Sequence, residues 1–73
     1  MKNFIEVTDY DDGTKMLLSI DKIISVECDG DGNVFIAMFK DNDGVPVGIS
    51  VTESYDEIKN KLKESEEQRN VWN

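Results

Sequence analysis

The sequence predicts a mainly β domain of the α+β class: a strongly bent antiparallel sheet of about five strands, or a small barrel, followed by one C-terminal helix. Three observations predict it. Short apolar runs alternate with Asp/Gly/Asn clusters at intervals of about 8 to 12 residues, the beat of antiparallel strands joined by hairpins. One helix-start signature stands near residue 54, and no other helical pattern is present. The chain has 73 residues, room for a single domain that buries only about 60% of its unfolded surface. The expected unit covers residues 1–63, with residues 64–73 a polar helical extension or a frayed tail.

The first run, Phe4-Ile5-Glu6-Val7-Thr8, alternates, with Ile5 and Val7 on one face and Glu6 and Thr8 on the other. Asp12-Gly13 within DYDDGTK is a good hairpin turn. The second run, residues 15–20, carries Met16, Leu17, Leu18 and Ile20 with little alternation, so both of its faces are expected to be covered. Asp21-Lys22 is a polar break before residues 23–28, where Ile24, Val26 and Cys28 share one face and Ser25 and Glu27 mark the other. Cys28 is therefore expected to be an inert core thiol. The stretch DGDGN, residues 29–33, reads as a turn, because Asp and Asn bond their own backbone and Gly enters the left-handed region freely.

Residues 34–39 are apolar at every position, so one face meets the core and the other needs a second layer, either the helix or another subunit. Phe35, Ala37 and Phe39 are the candidate interaction face. KDNDG turns the chain into residues 45–51, with Val45, Val47, Ile49 and Val51 on one face and Pro46 marking an edge or a bulge. Ser54-Tyr55-Asp56-Glu57 fits the capping box, and Asp56 and Glu57 suit the positive end of the helix dipole. Tyr55, Ile58 and Leu62 then make a narrow apolar stripe, which KESEEQRN does not continue. Val71-Trp72 stands as an apolar pair at the end, to fray or to dock on a neighbour.

Sixteen acidic residues against eight basic ones give a net charge of −8, which repels phosphate backbones and anionic lipid surfaces. Neither direct nucleic-acid binding nor membrane association is expected. The opening residues lack a secretion-type apolar stretch, no run approaches the roughly 20 apolar residues of a membrane span, and a lone cysteine allows no internal disulfide. A reducing, cytoplasmic setting is the expectation. Asp9, Asp11, Asp12, Asp29, Asp31, Asp41 and Asp43 fall in three hairpin loops. An EF-hand register needs Gly at position 6 and Glu at position 12; read from Asp29 those positions hold Val34 and Lys40, while position 12 is Thr52 from Asp41 and Ile20 from Asp9. With no histidine, no glycine-rich phosphate loop before a helix and no cofactor signature, the chain reads as a non-enzyme without metal or cofactor.

Ile5, Val7, Thr8, Gly13, Ile20, Asp21, Ile23, Ile24, Glu27, Val51, Glu53, Ser54, Glu57 and Ile58 together resemble the pattern of the small FlbD-like proteins, named for flagellar and swarming motility. The resemblance spans roughly residues 4 to 62 and departs at Ser19, in the longer acidic loops and in the tail after Leu62. It implies the fold more firmly than a role. The barrel alternative, likewise, resembles SH3 and Sm architectures. The leading functional expectation is a small interaction domain that self-assembles or docks a protein through Phe35, Ala37 and Phe39, with Val71 and Trp72 as a second contact. The alternatives are an acidic decoy, of the sort a phage would encode, that places the loop aspartates in a basic site, and an oligomer that captures a small molecule between subunits.

Overall fold

The chain folds as β1 (Phe4–Thr8), β2 (Lys15–Ser19), a 3-10 turn (Ile20–Lys22), β3 (Ser25–Cys28), β4 (Val34–Lys40), β5 (Pro46–Val51) and α1 (Tyr55–Val71). The computed structural model describes the backbone of residues 3–71 and the side chains of residues 3–65. The order matches the alternation of apolar runs and turn clusters. Five strands in two antiparallel sheets with one C-terminal helix make a mainly β domain.

The two later hairpins close by the same device. Asp29 Oδ1 accepts from the backbone N–H groups of Asp31 and Asn33, each at 2.9 Å, and Asp41 Oδ1 accepts from those of Asp43 and Val45, again at 2.9 Å. Gly32 (φ 87°) and Gly44 (φ 80°) take the left-handed conformation that completes each loop, a region costly for any residue with a Cβ. The aspartates that look like cation ligands in the sequence thus spend oxygens on turn amides.

β1 and β2 form one sheet; β3, β4 and β5 form the other. They meet at a corner where Asp9 bridges to Val51, Tyr10 N–H donates to the Ser50 carbonyl (2.9 Å) and Thr52 N–H donates to the Thr8 carbonyl (3.0 Å). The strands run in the order β2, β1, β5, β4, β3, and no ladder joins β2 to β3 among the described residues, so the sheet bends without closing into a barrel. Since Ser50 turns its carbonyl toward β1, Gly48 and Pro46 face the same edge by alternation. Pro46 therefore gives up no ladder bond, which explains a proline at the start of β5.

Ile5, Val7, Val34, Ile36, Val51 and Ile58 form the buried cluster, with Met16, Leu18, Val26, Ile49 and Leu62 packed against it. The pairing explains the selection. Ile5 opposes Leu18 and Val7 opposes Met16 on the inner face of the first sheet, while Val34 and Ile36 on central β4 lie between β3 and β5. The helix enters through the capping box: Glu57 N–H donates to Ser54 Oγ and Ser54 N–H donates to a Glu57 carboxylate oxygen, both at 3.1 Å. Ile58 and Leu62 then pad the sheet, whereas Tyr55, expected on the same stripe, stays 42% exposed at the first turn.

Three expectations need correction. Cys28 is exposed rather than a core thiol: it shares a face with buried Val34 but ends an edge strand, so nothing flanks it on its outer side. Leu17 is half exposed, because it opposes Glu6 on the outer face of the first hairpin and that face is not covered. Phe35, Ala37 and Phe39 do not form one face. A bulge at Met38 lets β4 advance two residues while β5 advances one, so Phe39 pairs with Val47 and is rephased away from the side of Phe35. Ala37 itself is fully buried.

Candidate interaction surfaces

Alternation and the bulge decide what the second sheet leaves in solvent. At the end of β4 the pairing brings Phe39 beside Val47, and β3 begins alongside, with Ile24 N–H donating to the Ala37 carbonyl at 2.8 Å. Val45 belongs to the same end, since its carbonyl accepts from Asp41 N–H at 3.0 Å. Ile24, Phe39 and Val45 are each slightly more than half exposed. They lie toward one end of the second sheet, next to the turns that carry Asp21, Lys22, Asp41 and Asp43. Phe35 is half-buried on the other face, between Glu27 and Ser50, and is not part of this end. A smaller apolar pair, Phe4 and Leu17, lies diagonally placed on the outer face of the first hairpin beside the exposed Lys15–Glu6 ion pair (3.9 Å).

The opposite end is acidic. The turn after β1 and the turn after β3 meet there, as shown by a shallow groove of about 400 Å³ lined by Tyr10, Asp11, Asp29, Asn33, Val34 and Ser50. A smaller hollow of about 260 Å³ adjoins it at Glu27, Cys28 and Phe35. Asp9, Asp11, Asp12, Asp29 and Asp31 share this rim. Asp41 and Asp43 do not: their turn follows β4, a strand of seven residues, at the far end of the sheet. The seven loop aspartates therefore split between two ends, because successive hairpin turns of an antiparallel meander alternate sides.

Hydrogen bonds hold several of these carboxylates in the charged form. The Asn33 amide and side chain, followed by the Asp31 and Gly32 amides, keep Asp29 below the usual carboxylate range, and the Thr14 amide and hydroxyl do the same for Asp12. Glu53 is a third case. Burial pushes its pKa up, but the Thr8 amide and hydroxyl, with help from the charge of Lys61, draw it down further, and the net shift is downward. Its two oxygens accept from Thr8 N–H and Thr8 Oγ1, both at 2.9 Å, and so clasp the end of β1 to the segment entering α1.

Among the described residues, no group of three or more Cys, Asp or Glu is placed to hold a metal ion. No helix there is long and apolar enough to cross a membrane. The Val71 side chain and all of Trp72 lie outside the described residues, so the expectation that this pair docks on a neighbour has no structural account.

Reading the sequence alone missed Ile24 and Val45 as surface residues and Glu53 as a clasp. No local signal marks Ile24 or Glu53: the exposure of Ile24 follows from the edge position of its strand, and Thr8 and Glu53 stand 45 residues apart. No family model matches the chain, and no curated protein and no solved structure is similar enough to it to be matched.

Proposed function

We propose that the protein is a small non-enzymatic interaction domain that docks a protein surface through the apolar end formed by Ile24, Phe39 and Val45. The observation that supports this reading is the convergence of three half-exposed apolar side chains at one end of a chain that is otherwise strongly charged. Of the face first expected, Phe39 belongs to this end, Phe35 faces elsewhere and Ala37 is inaccessible. The FlbD-like resemblance is a proposal of kinship only: Thr8, Glu53, Ser54 and Glu57, which carry part of it, serve the clasp and the helix cap.

A photo-reactive residue introduced at position 39 tests the reading in cells. Covalent adducts at position 39 and none at position 17, on the outer face of the first hairpin, are expected. Equal yields at the two positions, or none at either, would remove the apolar end from consideration.

A second reading has its own support in the acidic end, where Asp11 and Asp29 line a groove that includes the exposed ring of Tyr10, and Asp9, Asp12 and Asp31 belong to the same two turns. Such a rim suits a basic protein surface, as in the decoy alternative, with Asp41 and Asp43 left out of it. Association that weakens with added salt and with Asp11→Asn would favour this reading over the first.

A further inference from the structure

The hairpin turns contain the Asp-Gly bonds Asp12-Gly13, Asp29-Gly30, Asp31-Gly32 and Asp43-Gly44. Such a bond carries a chemistry of its own, because glycine has no side chain to shield its amide nitrogen from the preceding carboxyl. The Gly nitrogen attacks Cγ of the protonated acid: a C–N bond forms, the C–OH bond breaks, and the hydroxyl leaves as water with the amide proton. Water then opens the succinimide ring. Attack at the side-chain carbonyl restores Asp, whereas attack at the backbone carbonyl leaves isoaspartate, with an added methylene in the main chain. Water is the sole co-reactant.

Residue type makes these bonds alike; the turns make them different. Ring closure requires the carboxyl to swing free and the Gly amide to rotate toward it, so the hydrogen bonds that either group makes in the turn must open first. At Asp29 the carboxyl is tied on both oxygens: Oδ1 accepts from the Asp31 and Asn33 amides at 2.9 Å, and Oδ2 accepts from the Asn33 side chain at 3.2 Å. At Asp12 both reacting groups are tied, since Oδ1 accepts from Thr14 N–H at 2.9 Å and Gly13 N–H donates to the Asp9 carbonyl at 3.0 Å. At Asp31 and Asp43 only the nucleophile is tied: Gly32 N–H donates to the Asp29 carbonyl at 3.1 Å and Gly44 N–H to the Asp41 carbonyl at 3.0 Å. Neither of these two carboxylates accepts a hydrogen bond from any of the described residues.

We propose that Asp31 and Asp43 are the positions at which the folded chain isomerises, while Asp12 and Asp29 are spared by the bonds that close their turns. Both reactive residues are exposed, so the opening they need is local. The turn bonds also keep Asp29 and Asp12 below the usual carboxylate range, which makes the neutral acid that loses hydroxyl rarer at both. Isoaspartate at position 31 would lengthen the span that Asp29 Oδ1 bridges to the Asn33 amide, and at position 43 the span that Asp41 Oδ1 bridges to the Val45 amide. The modification would thus loosen the later two hairpins, one at each end of the second sheet.

The test is to age the whole folded chain at mildly acidic pH and map isoaspartate in its peptides by mass spectrometry, with electron-based fragmentation to separate it from Asp. A parallel sample is aged in concentrated urea. In the folded chain, positions 31 and 43 are expected to convert at least about fivefold faster than 12 and 29, since each turn hydrogen bond that must open lowers the reactive population by roughly two- to tenfold. In urea that preference should disappear, because the turn contacts are gone. Equal conversion at all four positions of the folded chain, or a lead for 12 or 29, would overturn the proposal. So would the same preference in urea, which would trace it to local sequence, or an unconverted folded chain by the time the urea sample has reacted.

Discussion

Gly48 lies at the bulge, opposite Ala37, and an added Cβ there would overlap the Ile36 carbonyl and approach Ala37 Cα. The clash is with backbone of the central strand, which cannot yield without breaking the ladder. Gly48→Ala is therefore expected to cost at least about 2 kcal/mol, read as a lower urea midpoint, whereas Gly30→Ala, with open space around it, should stay within about 0.5 kcal/mol of the parent. Comparable losses in the two variants would contradict this account of the bulge. Glu53 is the other residue on which much depends. Glu53→Ala removes both acceptors of the clasp and leaves the Thr8 amide without its partner, at a cost of about 1 to 3 kcal/mol. Since its folded pKa is depressed, its contribution is fully present above the ordinary carboxylate range and is lost as pH falls through the lower folded value. Stability should therefore decline in acid less steeply for Glu53→Gln than for the parent, and parallel pH profiles would sink the assignment.

At the scale of elements, Ile58 and Leu62 in the first two turns anchor the helix to the sheet. Ile58 is fully buried and Leu62 partly so, while the capping box satisfies two donors that the sheet cannot reach. Ser54→Ala should cost about 0.5 to 2 kcal/mol, because the first-turn amides lose their acceptor, and helical ellipticity should fall with it. An unchanged melting curve would mean that the sheet alone fixes α1. The hairpins are sturdier locally, since each closes on an aspartate that bonds turn amides as well as bearing charge. The same loops thus serve stability and surface field at once, which is why counting their aspartates overstated the case for a binding site.

For the molecule as a whole, a charge of −8 on a small domain with five aspartates gathered at one rim stores repulsion that the unfolded chain relieves. Raising salt from very low ionic strength to about 0.15 M should therefore raise Tm, as the Debye length contracts to about 8 Å. A Tm that falls over that interval would mean that the few favourable pairs, such as Lys15 with Glu6, outweigh the crowding of like charges.

Local chemistry is written plainly in this chain. The strands with their alternating faces, the Asp/Gly turns, the edge proline and the capping box could all be read from residue types at short spacing, because each depends on neighbours within about four positions. What the sequence could not supply was which strand is central. That choice buries Val34 and exposes Cys28 on one face, and it leaves Ile24 in solvent although its pattern matches that of Val26. Nor could alternation reveal the bulge at Met38, which takes Phe39 out of phase with Phe35 and, together with the burial of Ala37, dissolves the face that all three were expected to share. The partition of the acidic loops between opposite ends was equally hidden, since it depends on how the hairpins turn relative to one another. Residue identity determined the elements; long-range pairing decided which surface they present.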